Sequence, residues 1–417
     1  MTYSRSRTLN QRKEKRRSRR RLLLAVNGIM LACIVGIAVL IWRSGDGEEP
    51  SLAPPATPSE TASSAPTPSE PAPSDSGEPA PSDEAAASPD REDDDTYAEP
   101  ESGAESVTIA LVGDILPAAR VLERMMANGF DYPFREARPL LEAADIAAGN
   151  LEAPVTERGT PAEDKQYVFR GHSDALQAIK EAGFDFLSLA NNHTLDYGWE
   201  GLSDTMEALD DIGLKHAGAG IDDKEAFAPA YIESNGLTVA FVSLSRVLPF
   251  VSWKADRNHP GLAEAYDPRR AVAAIEAAKE NADVVVVMVH WGEERKVEPN
   301  KDQKDLAYRF VDAGADLVVG SHPHVLQGFE SYKGKWIAYS LGNFVFSTTT
   351  RLASETGVLN AECDKEGNCS LMFHPMYAES SQPAPMGEAE GKELLARLSE
   401  LSFGASVEED GSIVARN

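Results

Sequence analysis

Val284-Val285-Val286-Val287-Met288-Val289 is an unbroken apolar run, and it leads straight into His290-Trp291-Gly292. No polar residue alternates within it, so neither face is left for water. Such a run reads as a strand buried on both sides, as in a parallel sheet covered by helices. Its surroundings agree. Residues 268–280 before it and 302–313 after it have helical spacing, and a second short apolar run follows at 317–319. Strand, helix and strand in this order predict βαβ units and a largely parallel sheet.

The same alternation extends toward the N-terminus. Strands are expected at 107–112, 145–148 and 184–189, and helices at 118–128, 174–182 and 201–212. Two hairpins interrupt the pattern. One joins 230–234 to 237–244 through Asn235-Gly236, and the other turns at Lys333-Gly334. Residues 388–401 read as a closing helix. The fold class is therefore α/β, with antiparallel strands added to a parallel core.

Polar residues collect where the apolar runs stop. Gly113-Asp114 follows 107–112, and Gly149-Asn150-Leu151-Glu152 follows 145–148. Asn191-Asn192-His193 follows 184–189, His290 follows 284–289, and Ser321-His322-Pro323-His324 follows 317–319. In α/β sheets, ligands bind beyond the carboxyl ends of parallel strands. Those ends share one edge, so the five clusters can converge. Carboxylate, amide and imidazole form a mixed oxygen and nitrogen donor set, suited to Mn, Zn or Fe rather than to calcium. Four of the eight histidines lie at these exits; the others, His172, His216, His259 and His374, have no such setting and read as surface or loop residues.

The blocks VGDILPAAR (112–120), GNLEAPVT (149–156), LANNHTLDYG (189–198), VHWGEE (289–294), VGSHPHVLQGFE (319–330) and YSLGNFVF (339–346) occur in that order. Together they resemble the CapA/PgsA family of capsule-synthesis proteins, which is related to calcineurin-like metallophosphoesterases. The resemblance implies an α/β/β/α sandwich with one or two divalent ions at the sheet edge. It implies metal-ligand roles for Asp114, Glu152 with Asn150, Asn192, His290, His322 and His324, and a catalytic role for His193. It departs from the phosphoesterase pattern at Leu116, where a histidine is expected, at the Asn-Leu-Glu block, and at Ser321 in place of glycine. Arg120, Arg170 and Arg246 are candidates for contacts to an anionic substrate. The implied function is synthesis or export of a poly-γ-glutamate type capsule, either as a metal-dependent hydrolase of the phosphoesterase type or as a non-catalytic polymer-binding member of a membrane complex.

The first 106 residues differ in kind. Residues 1–21 hold ten Lys or Arg and a single acid, Glu14, whereas 22–42 are uncharged. At about 1.5 Å per residue the second segment spans roughly 30 Å, a bilayer core. It lacks an Ala-x-Ala cleavage site and runs into Ile41-Trp42-Arg43, so an uncleaved signal anchor is expected rather than a cleaved signal peptide. The basic tail keeps the N-terminus in the cytoplasm and places everything after the span outside. Residues 43–106 contain twelve prolines and seventeen acids. That composition predicts a disordered spacer, extended on the order of 200 Å at most. The remaining domain, 107–417, carries a net charge of about −21, which argues against nucleic acid as a partner. Cys363 and Cys369 flank a turn-forming Asp-Lys-Glu-Gly-Asn, and either a local disulfide or two free thiols fits that spacing.

Overall fold

The structure is a computed structural model that describes residues 106–416. The basic tail at 1–21, the span at 22–42 and the spacer from 43 up to Ser106 lie outside the described residues. Among the described residues no helix is long and apolar enough to cross a membrane.

Two large sheets form the centre. In the first, a ten-stranded sheet, Ser106–Ile115, Ile146–Leu151, Phe186–Ser188 and Lys215–Ala217 run parallel to one another. The long antiparallel pair Glu355–Asp364 and Cys369–Glu379 joins its other side. In the second, a six-stranded sheet, Leu237–Ser245, Val284–His290, Leu317–Ser321 and Lys335–Ala338 are parallel. The expected hairpins supply its edges, Ala230–Ser234 and Phe329–Tyr332.

The central strands are apolar on both faces because both faces are covered. Val284, Val286 and Met288 pack inward with Ile109, Leu111, Phe186 and Phe241 from the two sheets. Val285, Val287 and Val289 face outward onto Ile275 and Ala278 of the helix Pro268–Lys279 and Leu306 and Phe310 of the helix Lys301–Asp312. On the opposite side Ala110, Val112 and Leu187 meet Val121, Ile179 and Leu202 from the helices Ala119–Asn128, Ser173–Glu181 and Gly198–Ile212. The layers are thus helix, sheet, sheet and helix. Every helix expected from spacing is present, with ends that differ by a few residues at most. One expectation is corrected: Glu388–Leu401 does not close the chain, since Ala405–Val407 and Ser412–Ala415 follow it and add two further strands.

Cys363 and Cys369 sit directly opposite each other in the antiparallel pair and form a disulfide. Their separation of six residues closes only a short loop, so the bond restricts the unfolded chain little. Reduction is expected to cost about 2 kcal/mol of stability. Denaturant midpoints with and without reductant measure this, and an unchanged midpoint would show that the hairpin is held by its ladder alone.

Candidate metal centre

The site lies where the parallel strands of both sheets end. Asp114 ends one strand, and Glu152 directly follows the next. Asn192 and His193 follow the short strand Phe186–Ser188. His290 ends its strand, and His322 and His324 leave Leu317–Ser321. All seven side chains come together. His322 and His324 take φ values of 96° and 56°, left-handed conformations unusual for a non-glycine residue and typical of strain held at a functional site. Gly113 allows the backbones to close up: a Cβ there would stand 1.9 Å from the Gly342 carbonyl oxygen.

Two donor groups share one residue. Glu152, His290 and His322 converge in one, and Asp114, Glu152 and His324 in the other. Asn192 Oδ1 joins the first, 2.8 Å from His290 Nε2. Glu152 is fully buried, and neither carboxylate oxygen has a hydrogen-bond partner in the protein. His322 Nδ1 is likewise buried without a partner. Buried polar atoms are ordinarily paired. A shared carboxylate with two unpaired oxygens between two imidazole-bearing groups therefore fits one or two divalent cations.

Charge and protonation follow from this burial. Desolvation, with Asp114 beside it, drives the Glu152 pKa well above the usual carboxylate range. Desolvation, reinforced by neighbouring histidines, pushes His290 well below its ordinary value and His322 down to about 3. Both are neutral imidazoles, the form that binds metal. His324 differs. Burial works to lower it, but the Glu152 charge, the hydrogen bond to Asp114 and the Asp114 charge prevail and raise it to about 9. The metal-free cluster therefore retains a proton at neutral pH. Metal uptake at pH 7 is expected to release it, and affinity should rise with pH up to about 9. Calorimetry in buffers of different ionisation enthalpy reads this directly, and a heat independent of buffer would refute it.

The supporting residues explain the block pattern. Ser321 Oγ lies 2.9 Å from His290 Nδ1 and leaves Nε2 facing Asn192 and Glu152. Asn343 Oδ1 lies 2.9 Å from His324 Nδ1, while its amide nitrogen donates to the carbonyls of His324 and Ala353. The YSLGNFVF block thus orients His324. Asn150, expected beside Glu152 as a ligand, turns an amide N–H rather than a donor oxygen toward Asp114. Asn191 Oδ1 accepts from the His193 N–H and Thr194 Oγ1, so its amide nitrogen must face Leu151 O and Asn150 Oδ1. Asn150 Oδ1 is thereby occupied, and its Nδ2 donates to Asp114 Oδ1 at 2.9 Å. Asn150 positions Asp114.

His193 belongs to a second set. Its Nδ1 lies 2.8 Å from Asp196 Oδ2, which also accepts from the Phe169 N–H. Lys165 pairs with Asp196, donates to Asn192 O at 2.6 Å and lies under the Trp253 ring. Desolvation lowers the pKa of both His193 and Lys165, against the pull of Asp196. Asp196 carries a sequence signal, three residues after His193 in one turn. Lys165 carries none, because it lies on a long irregular loop. Two of the three arginines have partners of their own. Arg120 is exposed on its helix, Arg170 lies over Tyr197, and Arg246 stacks on Tyr266 and pairs with Asp302.

Residues 108–348, which include every side chain of the cluster, match the family described as Bacterial capsule synthesis protein PGA_cap. The chain belongs to this family. Capsule biosynthesis protein CapA of Bacillus anthracis is 37% identical over 293 residues, covering 68% of this chain and 71% of that protein. PGA biosynthesis protein CapA of Bacillus subtilis (strain 168) is 34% identical over 311 residues, covering 74% and 81%. Among solved structures, the sulfate thiohydrolase SoxB of Thermus thermophilus is similar at 14% identity, with a TM-score of 0.39 over 69% of this chain and 58% of that one. The PGA_cap match ends near the Asn343–Val345 strand. The antiparallel strands Glu355–Asp364 and Cys369–Glu379 and the Glu388–Leu401 helix lie beyond it.

Proposed function

We propose that this PGA_cap protein is a membrane-anchored, extracytoplasmic component of poly-γ-glutamate type capsule synthesis or export, with a metal-dependent phosphoesterase-type site. The observation that carries the metal reading is Glu152, buried with two unpartnered oxygens between two donor groups. Asp114, Glu152 and His324 would hold one ion, and Glu152, Asn192, His290 and His322 the other, as Mn, Zn or Fe. A divalent ion supplies Lewis acidity toward an anionic oxygen and reverses the local field of an acidic protein.

The chain's own residues do the rest. Asp196 holds His193 through Nδ1, leaving Nε2 to protonate the leaving oxygen as the oxygen of water bonds to phosphorus and the ester bond breaks, and the proton released from the water replaces the one His193 gives up. Lys165 fixes Asp196. Phe169 and Phe346 pack against the His193 and His324 rings. Arg120, Arg170 and Arg246 are the cations proposed to meet an anionic substrate outside the cluster. Anchoring is supported by the uncharged run 22–42 behind a basic tail. The Cys363–Cys369 disulfide is in keeping with an oxidising, extracytoplasmic location.

The test uses the full-length chain in detergent, loaded with Mn or Zn and assayed for metal content and for hydrolysis of bis(p-nitrophenyl) phosphate. Bound metal with metal-dependent turnover is expected. Bound metal without turnover on phosphodiesters or phosphomonoesters would sink the catalytic half and leave a polymer-holding role in a membrane complex. Protease accessibility in intact spheroplasts tests the orientation, and a protected C-terminal domain would contradict it.

A further inference from the structure

We infer that the two metal positions are unequal: the ion held by Glu152, Asn192, His290 and His322 is retained, whereas the ion held by Asp114, Glu152 and His324 is exchangeable. This inference rests on the metal reading above. The difference lies in the surroundings of the two donor groups. The first group draws on four side chains from four strand exits. Its members are braced in turn, His290 by Ser321 and the Asn192 backbone by Lys165.

The second group has three donors. Two of them are well held, Asp114 by Asn150 and His324 by Asn343. Hydrocarbon packs beside this group. Leu116 is two residues beyond Asp114, just past a register shift between Asp114 and Ile115 that ends regular pairing. It is 2% exposed and packs with Ala118 and Ala153 under Phe169 and Phe346. The Phe346 ring lies 4.8 Å from the His324 ring and the Phe169 ring 4.7 Å from that of His193. Carbon supplies no ligand. A site with three protein donors keeps an open position for water or substrate, whereas a site with four is closed. The ion beside Asp114 therefore has only three protein donors and is the less firmly held of the two.

Calorimetric titration of the EDTA-stripped full-length chain with Zn tests the proposal, beside Asn192→Ala and Leu116→His. The parent should show two steps at least about tenfold apart, the scale on which one supporting contact alters metal affinity. Asn192→Ala should weaken the tight step and leave the weak one. Leu116→His should bring a fourth donor to the weak position and close the gap. Each variant is scored only with a cooperative thermal transition, and because Leu116 is buried, Asn192→Ala alone suffices if Leu116→His does not fold. Two indistinguishable steps in the parent would overturn the inference, as would Asn192→Ala acting on the weak step or a folded Leu116→His that leaves the gap unchanged. No uptake by the parent would overturn the metal reading itself, a separate result from unequal or equal steps.

Discussion

Glu152→Gln is expected to abolish metal uptake at both positions and, in EDTA, to make the metal-free protein more stable than the parent at pH 8. The two effects have one cause. Glu152 is the only residue common to both donor groups among the described residues, so its loss leaves neither group with its shared carboxylate. Without metal, that carboxylate is a cost that the attraction of protonated His324 offsets only in part, since the Glu152 pKa stays raised. Both oxygens are buried and unpartnered, and desolvation together with the Asp114 charge raises the pKa well above 4.5. A carboxyl whose folded pKa is raised holds its proton more tightly folded than unfolded. Its unfavourable contribution is therefore absent below pH 4.5, grows as pH rises toward the folded value, and is complete above it. Glutamine carries no charge, so the variant escapes it. The expected gain is about 1.4 kcal/mol for each unit by which folding raises the pKa. It should appear at pH 8 and vanish at pH 4. With metal present the order reverses, because only the parent is stabilised by binding. Thermal melts at the two pH values, with EDTA and with Zn, give all four comparisons. A variant less stable than the parent at pH 8 in EDTA would mean that Glu152 has a stabilising partner in the folded protein.

The strand exits were legible because buried runs have sharp ends. A strand such as Val284–His290 cannot carry a histidine in its middle without burying a polar group, so a histidine at its end marks where the sheet stops. The two-sided burial that made 284–289 readable also predicted the covering helices. Other features were hidden for physical reasons. The sequence names Asn150 as a polar residue at an exit, but which end of its amide faces the cluster depends on Asn191, forty-one residues away. Lys165 reaches Asp196 across thirty-one residues from a loop without periodicity, and no local pattern marks such a pair. The strand Glu355–Asp364 begins with a buried acid, which reads as surface until its partners Arg351 and Arg397 are known. Leu116 stood out in the sequence as a departure from the phosphoesterase pattern, but the packing of Phe169 and Phe346 on it could not be read there.

His193→Ala is expected to lower phosphodiester turnover by about 10²–10⁴-fold, the usual contribution of a positioned general acid, without changing metal content. The separation of the two readouts follows from geometry. His193 lies outside both donor groups, and its Nδ1 is committed to Asp196 at 2.8 Å. Removing the ring takes nothing from the metal shell, whose neighbouring member Asn192 is still held through its backbone by Lys165. The pH dependence supplies a second check. Burial is the largest influence on His193 and holds its pKa below 6.5 despite Asp196. A step that needs protonated His193 should therefore weaken as pH rises through a value under 6.5, and the variant should lose that limb of the profile. Lys165→Met should fall between parent and His193→Ala, since Asp196 would keep its bond to the ring but lose the cation that anchors it. Added imidazole is expected to restore part of the activity of His193→Ala and none of that of Glu152→Gln, because a free ring can replace a proton donor but not a buried bridging carboxylate. If His193→Ala loses metal along with turnover, His193 is a ligand, and the proton to the leaving oxygen must come from another group.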